Sequence, residues 1–144
     1  APPPAVFRHV LEPLAVDLAY VRQHLDRAAM VLVDARSPDR YRGENETLDP
    51  IAGHIPGALN RFFRDNLEPD GRFKRAGELR GEFESLLGER DPATVVHHCG
   101  SGVTACHNQL AMELAGLGGS RVYAGSWSEW CADASRPMKT GSEP

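Results

Sequence analysis

VVHHCGSGVTAC runs from Val95 to Cys106 and changes character midway. Thr94 to His98 (TVVHH) is a short apolar run of the kind expected of a buried parallel strand. Gly100 and Gly102 then let the backbone curl without a Cβ in the way. A helix is predicted from about Ala105 to Ala115, with Leu110, Ala111 and Leu114 facing inward. Cys99 therefore stands where a strand ends and a loop of small residues leads into a helix. Curled backbone turns its N–H groups inward as an anion-binding nest, and the helix start adds the positive end of its dipole. Both favour negative charge on sulfur, so these residues point to a nucleophilic or persulfide-carrying cysteine. The bland alternative is a cysteine packed under a glycine-rich turn, since free cysteines are often core.

Strand and helix signals alternate on either side of this stretch. MVLVDA (Met30–Ala35) reads as a second buried strand, and RVY (Arg121–Tyr123) as a last short one. VFRHVLE (Val6–Glu12) reads as a first strand behind an extended leader, residues 1–5. Asp17 is placed to cap a helix in which Leu18, Val21 and Leu25 recur at helical spacing. Ser37-Pro38 starts a short helix through Tyr41. Residues 43–53 form a polar loop, GHIPGALN (Gly53–Asn60) a turn and brief strand, and Asp70-Gly71 a further turn. Leu79, Phe83, Leu86 and Leu87 make the apolar face of another helix. SWSE (Ser126–Glu129) fits a capping box opening a helix through Trp130, and residues 133–144 are expected to be a loose tail. The pattern predicts a single α/β domain over residues 1–144, a small, mostly parallel sheet with helices on both faces. Ligands of such sheets collect at the carboxyl ends of strands, where Cys99 and Asp34 both lie.

Composition narrows the function. At 144 residues and 41% hydrophobic, the chain is long and apolar enough for a real core. A formal charge of −4 without a basic cluster argues against a nucleic-acid partner. No apolar run is long enough to cross a bilayer, so no membrane partner is expected, and APPPAVF lacks the pattern of a secretory signal. Three cysteines, Cys99, Cys106 and Cys131, do not suggest a disulfide framework. They fit a reducing compartment, and a cytoplasmic location is expected.

Rival chemistries fare worse. A cysteine phosphatase needs an arginine closing its loop, and Cys99 to Ala105 contains none. No Gly-Lys-Ser/Thr follows, so a Walker loop is absent. His97, His98, Cys99, Cys106 and His107 are dense in possible ligands but show no recognised zinc spacing. Neither a metal nor a cofactor is expected. A reductase of the arsenate type would need a resolving cysteine, and Cys106, about two helical turns along, is poorly placed for that.

VVHHCGSGVTAC, together with VDAR, GHIPGALN and YAGSWSEW, resembles a rhodanese domain. More narrowly, it is similar to the catalytic C-terminal half of tandem thiosulfate and 3-mercaptopyruvate sulfurtransferases. The resemblance covers about Leu14 to Gly141. It implies that Cys99 takes a sulfane sulfur from thiosulfate or 3-mercaptopyruvate, becomes a persulfide, and passes the sulfur to cyanide or a thiol. Backbone amides of Gly100, Gly102, Val103 and Thr104 would surround the terminal sulfur. Gly100-Ser101-Gly102 lacks the basic residues typical of the thiosulfate type and resembles the mercaptopyruvate type. Ser101 would hydrogen-bond a carbonyl or relay a proton, its plainer reading being a loop hydroxyl capping the helix. Arg40 matches the arginine that holds the donor's anionic group; a surface ion pair with Asp39 or Glu44 is the alternative. The second arginine usual before GHIPG is missing from ENETLDPIA, leaving Arg42 as a substitute.

The remaining motif residues have structural readings. Asp34 and Arg36 brace the strand end, His54 fixes a turn, and His98 packs. Trp127 and Trp130 support the loop's base and wall the pocket. Cys106 is expected in the core and Cys131 at the surface. The resemblance also implies a partner, an N-terminal rhodanese half completing the site, without which the chain turns over weakly. The rival from another class is a non-catalytic rhodanese module for protein interaction or sulfur delivery.

Overall fold

A computed structural model describes residues 13–144. The leader and the strand expected over Val6–Glu12 lie outside the described residues. Among the described residues five strands form one sheet: β1 (Ala15–Val16), β2 (Val31–Asp34), β3 (Leu59–Asn60), β4 (Val95–His98) and β5 (Arg121–Tyr123). Their order is β1-β5-β4-β2-β3 and every pairing is parallel. β4 therefore sits at the centre, and all four of its residues are buried, as expected of a strand covered on both faces. Val33 pairs with His97 and Asp34 with His98, so β2 and β4 end side by side.

Helices cover both faces. α1 (Leu18–His24), α2 (Pro38–Arg42) and α5 (Ser126–Trp130) lie on one side, α3 (Ala76–Leu87) and α4 (Val103–Leu114) on the other. Side chains alternate across the strands. Leu32 and Val96 meet Val21, Tyr41, Ile55, Trp127 and Trp130 on the first face. Val31, Val33 and Val95 meet Leu79, Phe83, Leu87, Ala111 and Met112 on the second. The Asp17 side chain accepts the Tyr20 amide at 2.9 Å, as its cap position predicts.

Three local expectations are corrected. α4 buries Ala105, Asn108, Ala111 and Met112, whereas Leu110 and Leu114 are 47% and 46% exposed. The helix is turned so that Asn108 points inward, where its amide donates to the Arg61 carbonyl at 2.8 Å and its oxygen accepts from Asn66 at 2.7 Å. SWSE forms no capping box. Ser126 is buried at φ +57°, and Glu129 accepts from the Tyr123 hydroxyl at 2.8 Å instead. The tail does not hang loose: Trp130 Nε1 donates to Pro137 O at 2.8 Å, and His54 and Lys139 exchange backbone hydrogen bonds of 2.8 and 3.0 Å.

Candidate active site

The loop after β4 brings Cys99 to the carboxyl end of the central strand and directly into the start of α4. Gly102 allows the turn. Its φ is +96°, a conformation in which L side chains are strained, and a Cβ there would lie 2.4 Å from the Ala124 carbonyl oxygen. In this curl the Gly102 N–H donates to Cys99 Sγ at 2.9 Å. Of the loop amides expected to face the sulfur, this one does so. α4 begins at the next residue, and its first N–H groups have no partner within the helix.

A second set of contacts holds the loop from the other side. The Cys99 N–H donates to Ser126 Oγ at 3.1 Å, and that hydroxyl donates to the Tyr123 carbonyl at 2.9 Å. The amides of Trp127 and Ser128 donate to the carbonyls of Cys99 and Gly100, both at 2.9 Å. The Cys99 amide and the Cys99 and Gly100 carbonyls are thereby fixed by the end of β5 and the start of α5. Sequence reading missed Ser126 because SWSE also satisfies a capping pattern. The positive φ that places its hydroxyl under Cys99 leaves no local signal.

Cys99 as a residue is only 2% exposed, yet it lies on the floor of a cleft of about 250 Å³. Arg40, Asp49, Ser101, Val103 and Thr104 are among its walls. The structure thus brings together Cys99, Gly100, Ser101, Val103, Thr104 and Arg40; Gly102 lies just behind the wall, bonded to the sulfur. Ser101 is exposed at the rim. A larger cleft, about 710 Å³, lies at the opposite end of the sheet, where Met30 and Val31 begin β2; neither a cysteine nor a histidine lines it. The smaller cleft, which contains Cys99, is the candidate site.

Arg40 lies over Gly100, where a Cβ would come within 3.4 Å of its Nη2. Its guanidinium pairs with neither Asp39 nor Glu44, although Asp39 accepts the Arg40 backbone amide at 2.8 Å. Nε and Nη2 donate to the two carboxylate oxygens of Glu46 at 3.1 and 3.0 Å, and Asp49 stands 3.6 Å from Nη2. Burial works against the charge on both members, but their mutual hydrogen bonds and attraction outweigh it. Arg40 is held above its usual pKa and Glu46 below the usual carboxylate range. Both are ionised at neutral pH. Glu46 also lies 3.7 Å from Arg36, whose guanidinium grips the Asp34 carboxylate at 2.6 Å, so Asp34 and Arg36 do brace the strand end. Arg42 pairs with Glu44 at 3.0 Å, both well exposed, and does not line the cleft. Neither Glu46 nor Asp49 was found from sequence, because either is one acid among several in a polar loop.

Other motif residues fall into place. His54 stacks on Tyr41 at 3.8 Å and its Nδ1 pairs with the Tyr41 carbonyl at 2.8 Å, which supports a turn-fixing role. His98 is fully buried. Trp127, whose amide donates to the Cys99 carbonyl, and Trp130 are fully buried, and contrary to expectation neither walls the cleft. The two other cysteines exchange their expected places. Cys106 is exposed, its Sγ donating to the Gly102 carbonyl at 3.6 Å, and Cys131 is buried. The cause is the rotation of α4 noted above for Cys106, and the inward face of α5 shared with Trp127 and Trp130 for Cys131. Among the described residues no cluster of three or more histidine, cysteine or acidic side chains has the arrangement of a metal site. None of the described helices is long and apolar enough to cross a membrane.

Comparison with known proteins shows the family. The chain is 50% identical over 128 residues to a probable 3-mercaptopyruvate sulfurtransferase of Pseudomonas aeruginosa, covering 89% of this chain and 45% of that protein. It is 39% identical to the human 3-mercaptopyruvate sulfurtransferase (99% and 48% covered). Identity to the bovine thiosulfate sulfurtransferase is 36% (90% and 44% covered). The chain thus spans about half the length of these curated relatives. Among solved structures, the anaerobic ergothioneine biosynthesis enzyme from Chlorobium limicola superposes with a TM-score of 0.77 at 25% identity, over 89% of this chain and 32% of that one. Residues 17–133 match the rhodanese-like domain, and the chain belongs to that family.

Proposed function

We propose that this chain is the catalytic domain of a thiosulfate or 3-mercaptopyruvate sulfurtransferase, with Cys99 as the sulfur carrier. The observation that carries the reading is the Gly102 N–H donating to Cys99 Sγ at 2.9 Å on the floor of a cleft beside Arg40. Relatives bearing those two enzyme names support the two donors.

In the first half-reaction the Cys99 thiolate attacks the outer sulfur of the donor. With thiosulfate the S–S bond breaks and sulfite leaves with the electron pair. With mercaptopyruvate the C–S bond breaks and pyruvate leaves as its enolate, which takes up the proton the thiol carried. Either way Cys99 becomes a persulfide anion. In the second half-reaction cyanide or a thiolate attacks the terminal sulfur, and the Cys99 thiolate returns. Negative charge sits at the loop throughout, so amides fixed before the reaction stabilise every state without reorganising. Arg40 receives the donor's anionic end, and Ser101 at the rim donates to its carbonyl or moves the proton. Gly100, Gly102, Val103 and Thr104 supply the backbone that surrounds the terminal sulfur.

Two further parts of the proposal concern surroundings. A second, N-terminal rhodanese half packs over the cleft. The support is the chain's half-length match to its relatives, and a rim where Leu48 and Val103 are 78% and 74% exposed. A reducing, cytoplasmic setting is supported by Cys99, Cys106 and Cys131 all being free thiols.

The test is mass spectrometry of the chain after incubation with each donor. A gain of one sulfur on Cys99, absent in Cys99→Ser, is expected. No adduct from either donor would replace this reading with that of a non-catalytic rhodanese module.

A further inference from the structure

The cleft wall holds one cation, Arg40, and one carboxylate, Asp49, with Glu46 buried directly behind the Arg40 guanidinium. Arg40 is the sole cationic side chain in its wall. Its guanidinium is already gripped at both ends by Glu46, whose side chain is 4% exposed, and Asp49 stands 3.6 Å away with its other oxygen accepting from Ser128 Oγ at 2.6 Å. Deeper in, Arg36 is paired with Asp34. The ion-pair network of which Arg40 is part therefore sets two guanidinium groups against three carboxylates, a formal net charge of −1, and Asp49 is the carboxylate of that network that lines the cleft. A donor anion reaching Arg40 meets Asp49 on the same guanidinium edge.

We propose that Asp49 is a specificity-determining residue that limits the charge of the donor, selecting a singly charged thiol such as an α-keto carboxylate over a dianion such as thiosulfate. The inference rests on the reading of Cys99 as the sulfur carrier. Coulomb energy is proportional to charge, so a dianion feels twice the repulsion from Asp49 that a monoanion does at the same distance. A factor gained by the monoanion when Asp49 is neutralised is therefore squared for the dianion. Ser128 donates to Asp49, and the amide oxygen of Asp49→Asn can still accept that bond, so the substitution removes the charge and leaves the contact.

The experiment follows persulfide formation on Cys99 by rapid quench and mass spectrometry, with mercaptopyruvate and thiosulfate side by side. The wild-type chain is expected to load faster from mercaptopyruvate. Asp49→Asn is expected to speed loading from mercaptopyruvate about threefold and from thiosulfate about tenfold. As a second measurement on the wild-type chain, raising salt from about 0.05 to about 0.5 M shortens the screening length and is expected to help thiosulfate more than mercaptopyruvate. Equal changes for both donors, or none, with Cys99 still loading would overturn the role of Asp49 alone. An absence of adduct from either donor in the wild-type chain would overturn the sulfur-carrier reading, and this inference with it.

Discussion

Gly102→Ala separates what the loop does for folding from what it does for chemistry. The residue has φ +96°, and an added Cβ would sit 2.4 Å from the Ala124 carbonyl oxygen, 3.2 Å from its carbon and 3.3 Å from its Cα. All three are backbone atoms beside β5 and cannot swing aside. The left-handed conformation alone costs an L residue about 1–2 kcal/mol. Relieving the clash also moves the Gly102 N–H away from Cys99 Sγ, removing a hydrogen bond to a charged sulfur worth about 1.5–3 kcal/mol. The first quantity appears in urea denaturation as lost stability. The second appears in the rate of sulfur loading, where about 1.4 kcal/mol is tenfold, so loading should slow by about 10- to 100-fold. Gly71→Ala is the control, since φ is +87° there but nothing lies within 4 Å of the added Cβ. It should lose about 1 kcal/mol of stability and load normally. A folded Gly102→Ala chain that loads sulfur at the wild-type rate would refute the reasoning.

Other parts of the account can be checked independently. Ser126→Ala removes the hydroxyl between Cys99 N and Tyr123 O and leaves a buried amide unpaired, an expected loss of about 1–3 kcal/mol by denaturation. Ser126→Gly loses the same hydroxyl but relieves the φ of +57°, so it should be the milder change; the opposite order counts against strain at this position. Burial pushes the pKa of His97 down to about 3 and lowers those of His54 and His98, so all three are neutral in the fold. The unfolded chain binds protons near pH 6.5 that the fold refuses, so stability is full above that pH and falls below it. For His97 the slope approaches about 1.4 kcal/mol per pH unit below pH 6.5, and His54 and His98 add to it in the same direction; a flat urea midpoint between pH 7 and pH 5 would contradict this. On α4, Met112→Ala should cost about 2–5 kcal/mol while Leu110→Glu changes stability by less than about 0.5 kcal/mol; the reverse would mean the helix is turned as its leucines suggest.

Backbone-level features were legible because they depend on local signals. RVY is the last strand at the residues expected, and Asp17 caps α1 because an aspartate before an apolar period has few better options. The placement of Cys99 at the start of α4 was legible because strand, glycines and helix follow one another without a gap. The side-chain phase of α4 was not. Two leucines lie outside because Asn108 finds partners in Arg61 and Asn66, distant in sequence, and a buried amide with both ends satisfied carries little penalty. Cys106 and Cys131 changed places for the same kind of reason: thiols have no strong preference, so each follows the face its helix presents. Arg40 was found but its partner was not. The short-range candidates, Asp39 and Glu44, make other contacts, while the loop folds Glu46 and Asp49 back onto the guanidinium. Charge pairing across a loop is set by the loop's path, which the sequence leaves open.

Diffraction from crystals soaked in thiosulfate addresses the central claim most directly, that fixed amides at the start of α4 hold an anionic sulfur on Cys99. One added sulfur bonded to Cys99 Sγ is expected, turned toward the N–H groups of residues 102–104 within about 3.5 Å. A sulfur found on Cys106, or one on Cys99 that points away from those N–H groups toward the Arg40 side of the cleft, would contradict it.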